Sequence, residues 1–101
     1  MAKTAARKAG TVHLSGRLIC ASTQEVEVVK SCLPEHVRLT RAEPGCVSFD
    51  VTETDDPLVW NVEECFLDRA AFEFHQHRTR ASAWWVATAE IAREFRVSGL
   101  D

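Results

Sequence analysis

A chain of 101 residues with 46% hydrophobic and 27% charged side chains has the makeup of one small globular domain. At this length only roughly 60–70% of the unfolded surface is buried on folding, so a further copy would add useful core. The net charge of −3 gives no electrostatic reason to expect DNA or RNA as a partner, and neither a membrane span nor the apolar core of a secretory signal is present, so a cytoplasmic protein is expected.

Residues 1–10 carry Lys3, Arg7 and Lys8 among small side chains without an apolar period, which predicts a flexible arm ahead of a domain over 11–101. Val12 to Cys20 alternates as a first strand, with Leu14, Gly16, Leu18 and Cys20 on one face and His13, Ser15, Arg17 and Ile19 on the other. Ser22-Thr23-Gln24-Glu25 fits a capping box, so a helix should begin at Thr23 and carry Val26, Val29 and Leu33 on one stripe. Pro34 should kink it, with helix resuming through Val37 and Leu39 and ending near Ala42. Pro44-Gly45 then forms a turn into a second strand, Cys46 to Thr54, in which Val47, Phe49 and Val51 oppose Ser48, Asp50 and Thr52.

Asp55-Asp56-Pro57 closes a hairpin onto a third strand, Leu58 to Phe66. Leu58, Trp60, Val62, Glu64 and Phe66 share its face, which leaves the Glu64 carboxylate in a row of large apolar groups. Asp68 can cap the next helix, whose stripe is Ala71, Phe72 and His75, with Arg78 at its edge. Thr79 or Ser82 can open a further helical segment bearing Trp84, Ala87 and Ile91, and Phe95 to Ser98 reads as a last strand. Cys20, Cys32, Cys46 and Cys65 lie 12, 14 and 19 residues apart without a C-x-x-C pair, so they are expected to be reduced thiols packed as small hydrophobes.

The order strand, helix, strand, strand, helix, helix, strand corresponds to an α+β, ferredoxin-like antiparallel four-stranded sheet with its helices on one face. If the other face is apolar, a second copy packing sheet on sheet about a twofold axis is the simplest cover. His75 and His77, at i and i+2, cannot share a helix face, which argues against joint metal chelation.

Two stretches carry a family resemblance. Glu43-Pro44-Gly45-Cys46-Val47-Ser48-Phe49-Asp50-Val51 resembles the helix-to-strand junction of the antibiotic biosynthesis monooxygenase family, which are small dimeric α/β barrels. Glu64, Phe66, Asp68, Ala70, Ala71 and His75 fall in order on that family's later pattern of acid, aromatic, acidic cap, small-apolar pair and histidine. The resemblance spans about Val12 to Val97 and implies a homodimer that oxidises a small phenol or quinol with dioxygen and without a cofactor. It departs at one place. Members commonly carry a second histidine about five residues after the first, followed by an aromatic, where this chain has Arg80 and Ala81. The haem-degrading relatives place a tryptophan where His75 stands and a histidine where Trp85 stands, which argues against haem.

The resemblance makes His75 the candidate proton acceptor, and a histidine suits that task near neutral pH. Its alternative is a buried histidine hydrogen-bonded to a neighbouring carboxylate or carbonyl. Glu64 either orients His75, takes up a proton itself, or is a structural carboxylate paired with an arginine or a backbone amide. Trp60, Phe49, Phe66 and Phe72 are candidate aromatic wall or plain core, Trp84 is expected in the core, and Trp85 at the pocket mouth or a dimer contact. Besides the oxygenase, the same scaffold can support isomerisation of a small carbonyl compound, or binding of a small ligand by a stress-associated barrel dimer without catalysis.

Overall fold

The computed structural model describes residues 10–100, so the expected arm lies, apart from Gly10, outside the described residues. The elements run β1 (Val12–Ile19), α1 (Thr23–Arg41), β2 (Cys46–Glu53), β3 (Val59–Phe66), α2 (Arg69–Arg80), α3 (Ala83–Ala87) and β4 (Ala92–Ser98). The four strands form one antiparallel sheet in the order β2-β3-β1-β4, with the helices on one face, which is the ferredoxin-like arrangement expected. Among the described residues no helix is long and apolar enough to cross a membrane.

Local chemistry sets the helix starts. The Ser22 hydroxyl accepts from the Glu25 amide, and the Glu25 carboxylate accepts from the Ala21 amide at 2.7 Å, one residue earlier than a standard capping box. Asp68 caps α2 by accepting from the Ala71 amide at 2.8 Å. Pro34 does not divide α1, which runs as one element from Thr23 to Arg41. Pro34 and Lys30, whose carbonyl loses its partner, are both on the outer side of the helix, so water can take the place of the missing bond. The buried stripe therefore continues from Val26 and Val29 to His36 and Thr40.

Three expectations shift. A bulge between Cys46 and Ser48 pushes Val47 outward, 54% exposed, so Cys46 rather than Val47 shares the inner face with Phe49 and Val51. The third helix is only five residues long, which leaves Ala87 exposed and gives its buried place to Thr88. The last strand begins at Ala92, three positions before the expected Phe95. None of the four cysteines is in a disulfide, and Cys20 and Cys65 are buried while Cys32 and Cys46 are half-buried.

The outer face of the sheet is polar. Ser15 donates to Glu63 across β1 and β3, and Arg17 pairs with Glu94 across β1 and β4. The apolar face on which sheet-on-sheet pairing was conditional is therefore not there. Exposed apolar side chains are Val47 at the bulge, Leu67 after β3, Phe74 on α2, Trp85 and Val86 on α3, and Phe95 and Val97 on the helix-side face of β4.

The inner face consists of cross-strand rows. Phe49, Glu64, Leu14 and Val97 form one, and Val51, Val62, Gly16 and Phe95 form the next. Val12, Leu18, Trp60 and Phe66 complete a core with Val26, Val29 and Phe72 from the helices. Gly45 brings β2 against α2: its carbonyl accepts from the Leu67 amide at 2.9 Å, and a Cβ there would lie 2.3 Å from that of Ala71. Gly45→Ala is therefore expected to destabilise the fold by about 1–3 kcal/mol through overpacking, read as a lower Tm in thermal unfolding followed by circular dichroism.

Candidate active site

Between the inner face of the sheet and the three helices lies a cavity of about 160 Å³. Its floor is the two rows through Glu64 and Val62, and its walls are His36, His75, Trp84, Trp85 and Arg93. An apolar cavity of about 150 Å³ suffices for a benzene ring, so this one is of single-ring size. Gly16 shapes the floor, since a Cβ there would stand 2.0 Å from the Glu94 carbonyl oxygen and 2.9 Å from the Phe95 ring, and its absence lets the β4 backbone and that ring lie close over β1.

His75 comes from the buried stripe of α2 and is 2% exposed. Its ring stacks on Phe66 at 4.8 Å between centroids. The two oxygens of Glu43 lie 3.1 and 3.2 Å from its Nδ1, and Glu43 also accepts from Arg78 Nε. Arg78 in turn donates to Thr40 Oγ1 at 2.9 Å, which ties α2 to α1. A carboxylate on Nδ1 places the imidazole proton there and leaves Nε2 as the accepting nitrogen. Nε2 accepts from the Thr79 hydroxyl at 3.3 Å, with Glu64 Oε1 at 3.7 Å.

A second histidine, His36 from α1, is 4% exposed and lines the same cavity. Its ring lies parallel to Trp84 at 4.8 Å and edge-on to Phe49 at 5.3 Å, 6.0 Å from His75. Its Nδ1 and the Glu64 Oε1 are both buried without a hydrogen-bond partner. Such groups cost about 1–3 kcal/mol each, so their presence on one cavity calls for a reason. Arg93 donates to the Thr88 and Ile91 carbonyls and to Thr88 Oγ1, and its guanidinium sits 5.6 Å over the Trp85 ring.

Burial sets the charge states. It raises the Glu64 carboxyl to about 8, helped by the nearby Glu43, so Glu64 is mainly a neutral acid at pH 7. Burial also lowers His75, and this outweighs the opposing pull of Glu43, so the imidazole is neutral and able to accept a proton. His36 falls to about 3 through burial and the charges of His75, Arg78 and Arg93.

Of the residues expected at the site, His75, Glu64, Phe49 and Trp85 line the cavity. Phe66 lies behind His75, and Phe72 packs on Phe66 at 5.9 Å, so neither reaches the cavity. Trp60 sits on a separate cleft of about 460 Å³, with Lys30 and Leu58, because it is two rows from Glu64 along β3. Trp84, expected as core, is buried and also forms a wall. The orienting partner of His75 is Glu43, and Glu64 lies on the side of the other ring nitrogen. Sequence reasoning missed Glu43 in this role, and it missed His36 and Arg93. His36 was legible in principle, since the stripe through Val26, Val29 and Leu33 reaches it once α1 continues past Pro34.

Between about pH 4.5 and 8 the folded state keeps a proton on Glu64 that the unfolded chain has lost, so this group makes stability fall as pH rises. His36 acts in the opposite sense, and only below its unfolded value of 6.5. Glu64→Gln should therefore remove up to about 2 kcal/mol of pH-dependent loss between pH 6.5 and 8 relative to wild type, measured by urea unfolding at each pH.

Residues 20–86 match the family model described as antibiotic biosynthesis monooxygenase. No curated protein matches the chain. Among solved structures, Rv0793 from Mycobacterium tuberculosis is 23% identical with a TM-score of 0.70, covering 91% of this chain and 97% of its own. SnoaB, described as a cofactor-independent oxygenase from Streptomyces nogalater, is 18% identical with a TM-score of 0.71 and coverages of 89% and 92%. MupZ from Pseudomonas fluorescens is 13% identical with a TM-score of 0.75 and coverages of 90% and 69%. At these identities the likeness is one of fold. The family match takes in both sequence stretches singled out above, with Glu43, Glu64 and His75 inside it, and the chain belongs to the antibiotic biosynthesis monooxygenase family.

Proposed function

We propose that this protein is a cofactor-independent monooxygenase that oxidises a small phenol or quinol with dioxygen. The observation that carries the proposal is His75: a neutral imidazole with Nδ1 held by Glu43 and Nε2 turned to an aromatic-walled cavity of single-ring size. Family membership and the description of SnoaB support the reaction class.

The substrate supplies the electrons. His75 Nε2 takes a phenolic proton, and Glu43 and Arg78 hold the resulting imidazolium in place. The phenolate gives one electron to dioxygen, and the radical pair combines at the ring carbon beside the phenolate oxygen. The peroxide so formed takes the proton held by His75. Nε2 then removes the hydrogen of that carbon as the O–O bond breaks, a carbonyl forms, and the hydroxide released takes the proton back as water. For a hydroquinone, one atom of dioxygen stays on the ring, the other leaves as water with two substrate hydrogens, and the product is the hydroxylated benzoquinone. All four electrons come from the substrate, so no outside reductant is needed. The cavity walls Phe49, Trp84 and Trp85 would keep bulk water from the radical pair.

A second reading rests on Glu64. A neutral acid 3.7 Å from a neutral imidazole is also an acid and base pair suited to enolising a small carbonyl compound. Such an isomerase would exchange substrate α-hydrogens with deuterated water in the absence of dioxygen, and an oxygenase would not.

We also propose a homodimer, supported by the exposed Val86, Phe95 and Val97. Sedimentation at twice the chain mass of 11.3 kDa is expected, and a monomer at micromolar concentration would remove this part of the proposal.

Oxygen uptake by the metal-free protein with hydroquinones, naphthoquinols and anthrones tests the reaction. His75→Asn keeps an amide N–H for Glu43 but removes the base, so uptake should fall by about 10²–10⁴ while Tm changes little. Uptake no faster than autoxidation in the wild type, or equal in His75→Asn, overturns the assignment.

A further inference from the structure

The proposed reaction leaves His36 unused, although His36 is among the most enclosed polar side chains of the cavity. An imidazole carries at least one N–H in every protonation state; the Nδ1 of His36 is buried without a hydrogen-bond partner, and no hydrogen bond joins its Nε2 to another of the described residues. With the proton on Nδ1 an enclosed donor stands without an acceptor, and with the proton on Nε2 an enclosed acceptor stands without a donor while the Nε2–H is left to donate elsewhere. Aromatic contacts alone hold the ring in place: Trp84 lies parallel to it at an interplanar angle of 4°, and Phe49 meets it edge-on at 81°. Both of these neighbours line the cavity as well.

Glu64 repeats the pattern from the sheet side. Its Oε1 is buried without a partner, and His75 Nε2 lies 3.7 Å from it, beyond hydrogen-bond reach. Two unsatisfied polar side chains on a single apolar cavity, with the accepting Nε2 of His75 beside them, fit a ligand that brings more than one oxygen of its own. The two histidines differ in what they can do with such a ligand. His75 has a carboxylate to stabilise its cation, whereas His36 has none and faces the charges of Arg78 and Arg93. His36 is therefore built to share a hydrogen bond, and His75 to accept a proton.

We infer that His36 is a substrate-binding side chain that donates its ring N–H to a second oxygen of the substrate, so that the pocket selects single-ring phenols with two oxygen functions. Monohydric phenols leave the donor unmatched, and fused tricyclic phenols exceed a cavity of about 160 Å³. This inference takes the cavity as the substrate site, in line with the proposed function, but it concerns binding and not oxidation.

Anaerobic titration calorimetry with hydroquinone, resorcinol, phenol and an anthrone tests it. Wild type should bind the better dihydric phenol about tenfold tighter than phenol, the worth of one net hydrogen bond, and should not bind the anthrone. His36→Phe keeps an aromatic ring against Trp84 and should bring that ratio close to one, and His36→Asn should restore part of it. An unchanged ratio in His36→Phe, or a wild type that binds no dihydric phenol, overturns the inference. If His36→Phe does not fold, the imidazole ¹⁵N resonances of wild type decide: a shift of a His36 nitrogen with the dihydric ligand and not with phenol supports the inference, and no shift overturns it. Because dioxygen is absent, an intact ratio without later oxygen uptake would count against the oxygenase alone, whereas uptake with an unchanged ratio would count against His36 alone.

Discussion

The contact on which the site depends is the Glu43 carboxylate held between His75 and Arg78. It joins the turn after α1 to the middle of α2, and it does so in the interior, where the side chains of Glu43 and His75 are 4% and 2% exposed. A buried carboxylate without partners would be costly, and here the guanidinium and the imidazole N–H satisfy it together. The same pair of bonds decides which imidazole nitrogen is left to accept a proton. Structure and chemistry thus share one constraint: moving the turn would release the histidine.

That turn can approach α2 because Gly45 has no side chain. The carbonyl of Gly45 meets the Leu67 amide, and its Cα faces Ala71 closely enough to exclude a methyl group. Gly16 acts in the same way at the cavity floor, where it lets the Phe95 ring lie close over β1. Two glycines in different parts of the chain therefore set the space around the site, one by closing a junction and one by lowering the floor.

Within the cavity, desolvation is the stronger electrostatic effect. It keeps His75 below its ordinary value against the attraction of Glu43, and it keeps Glu64 protonated well above the usual carboxylate range. The result is a pocket whose two histidines and Glu64 are neutral, with Arg93 as a charged wall and with Glu43 and Arg78 behind the His75 imidazole. Such an arrangement favours entry of a neutral aromatic molecule and still provides for a charge that forms later.

Much of the framework was legible from local pattern. Ser22 and Asp68 mark helix starts because their hydroxyl and carboxylate reach amides three residues away. The strands follow from alternation, and the position of His75 on the α2 stripe follows from the helical period. The bulge at Val47 was not legible, because it depends on how β2 pairs with β3. Nor was the partner of His75: Glu43 lies 32 residues earlier, and only the packing of α2 against the α1–β2 turn brings them together. Pro34 hid His36 by suggesting that the stripe had ended, and Trp60 was placed with Glu64 because alternation gives the face of a strand but not the position along it. The sequence by itself determined the elements, their order and the family, since those rest on short-range periodicity and caps; the tertiary structure alone decided which polar groups meet inside, because those contacts are made between elements distant in the chain and are selected by burial.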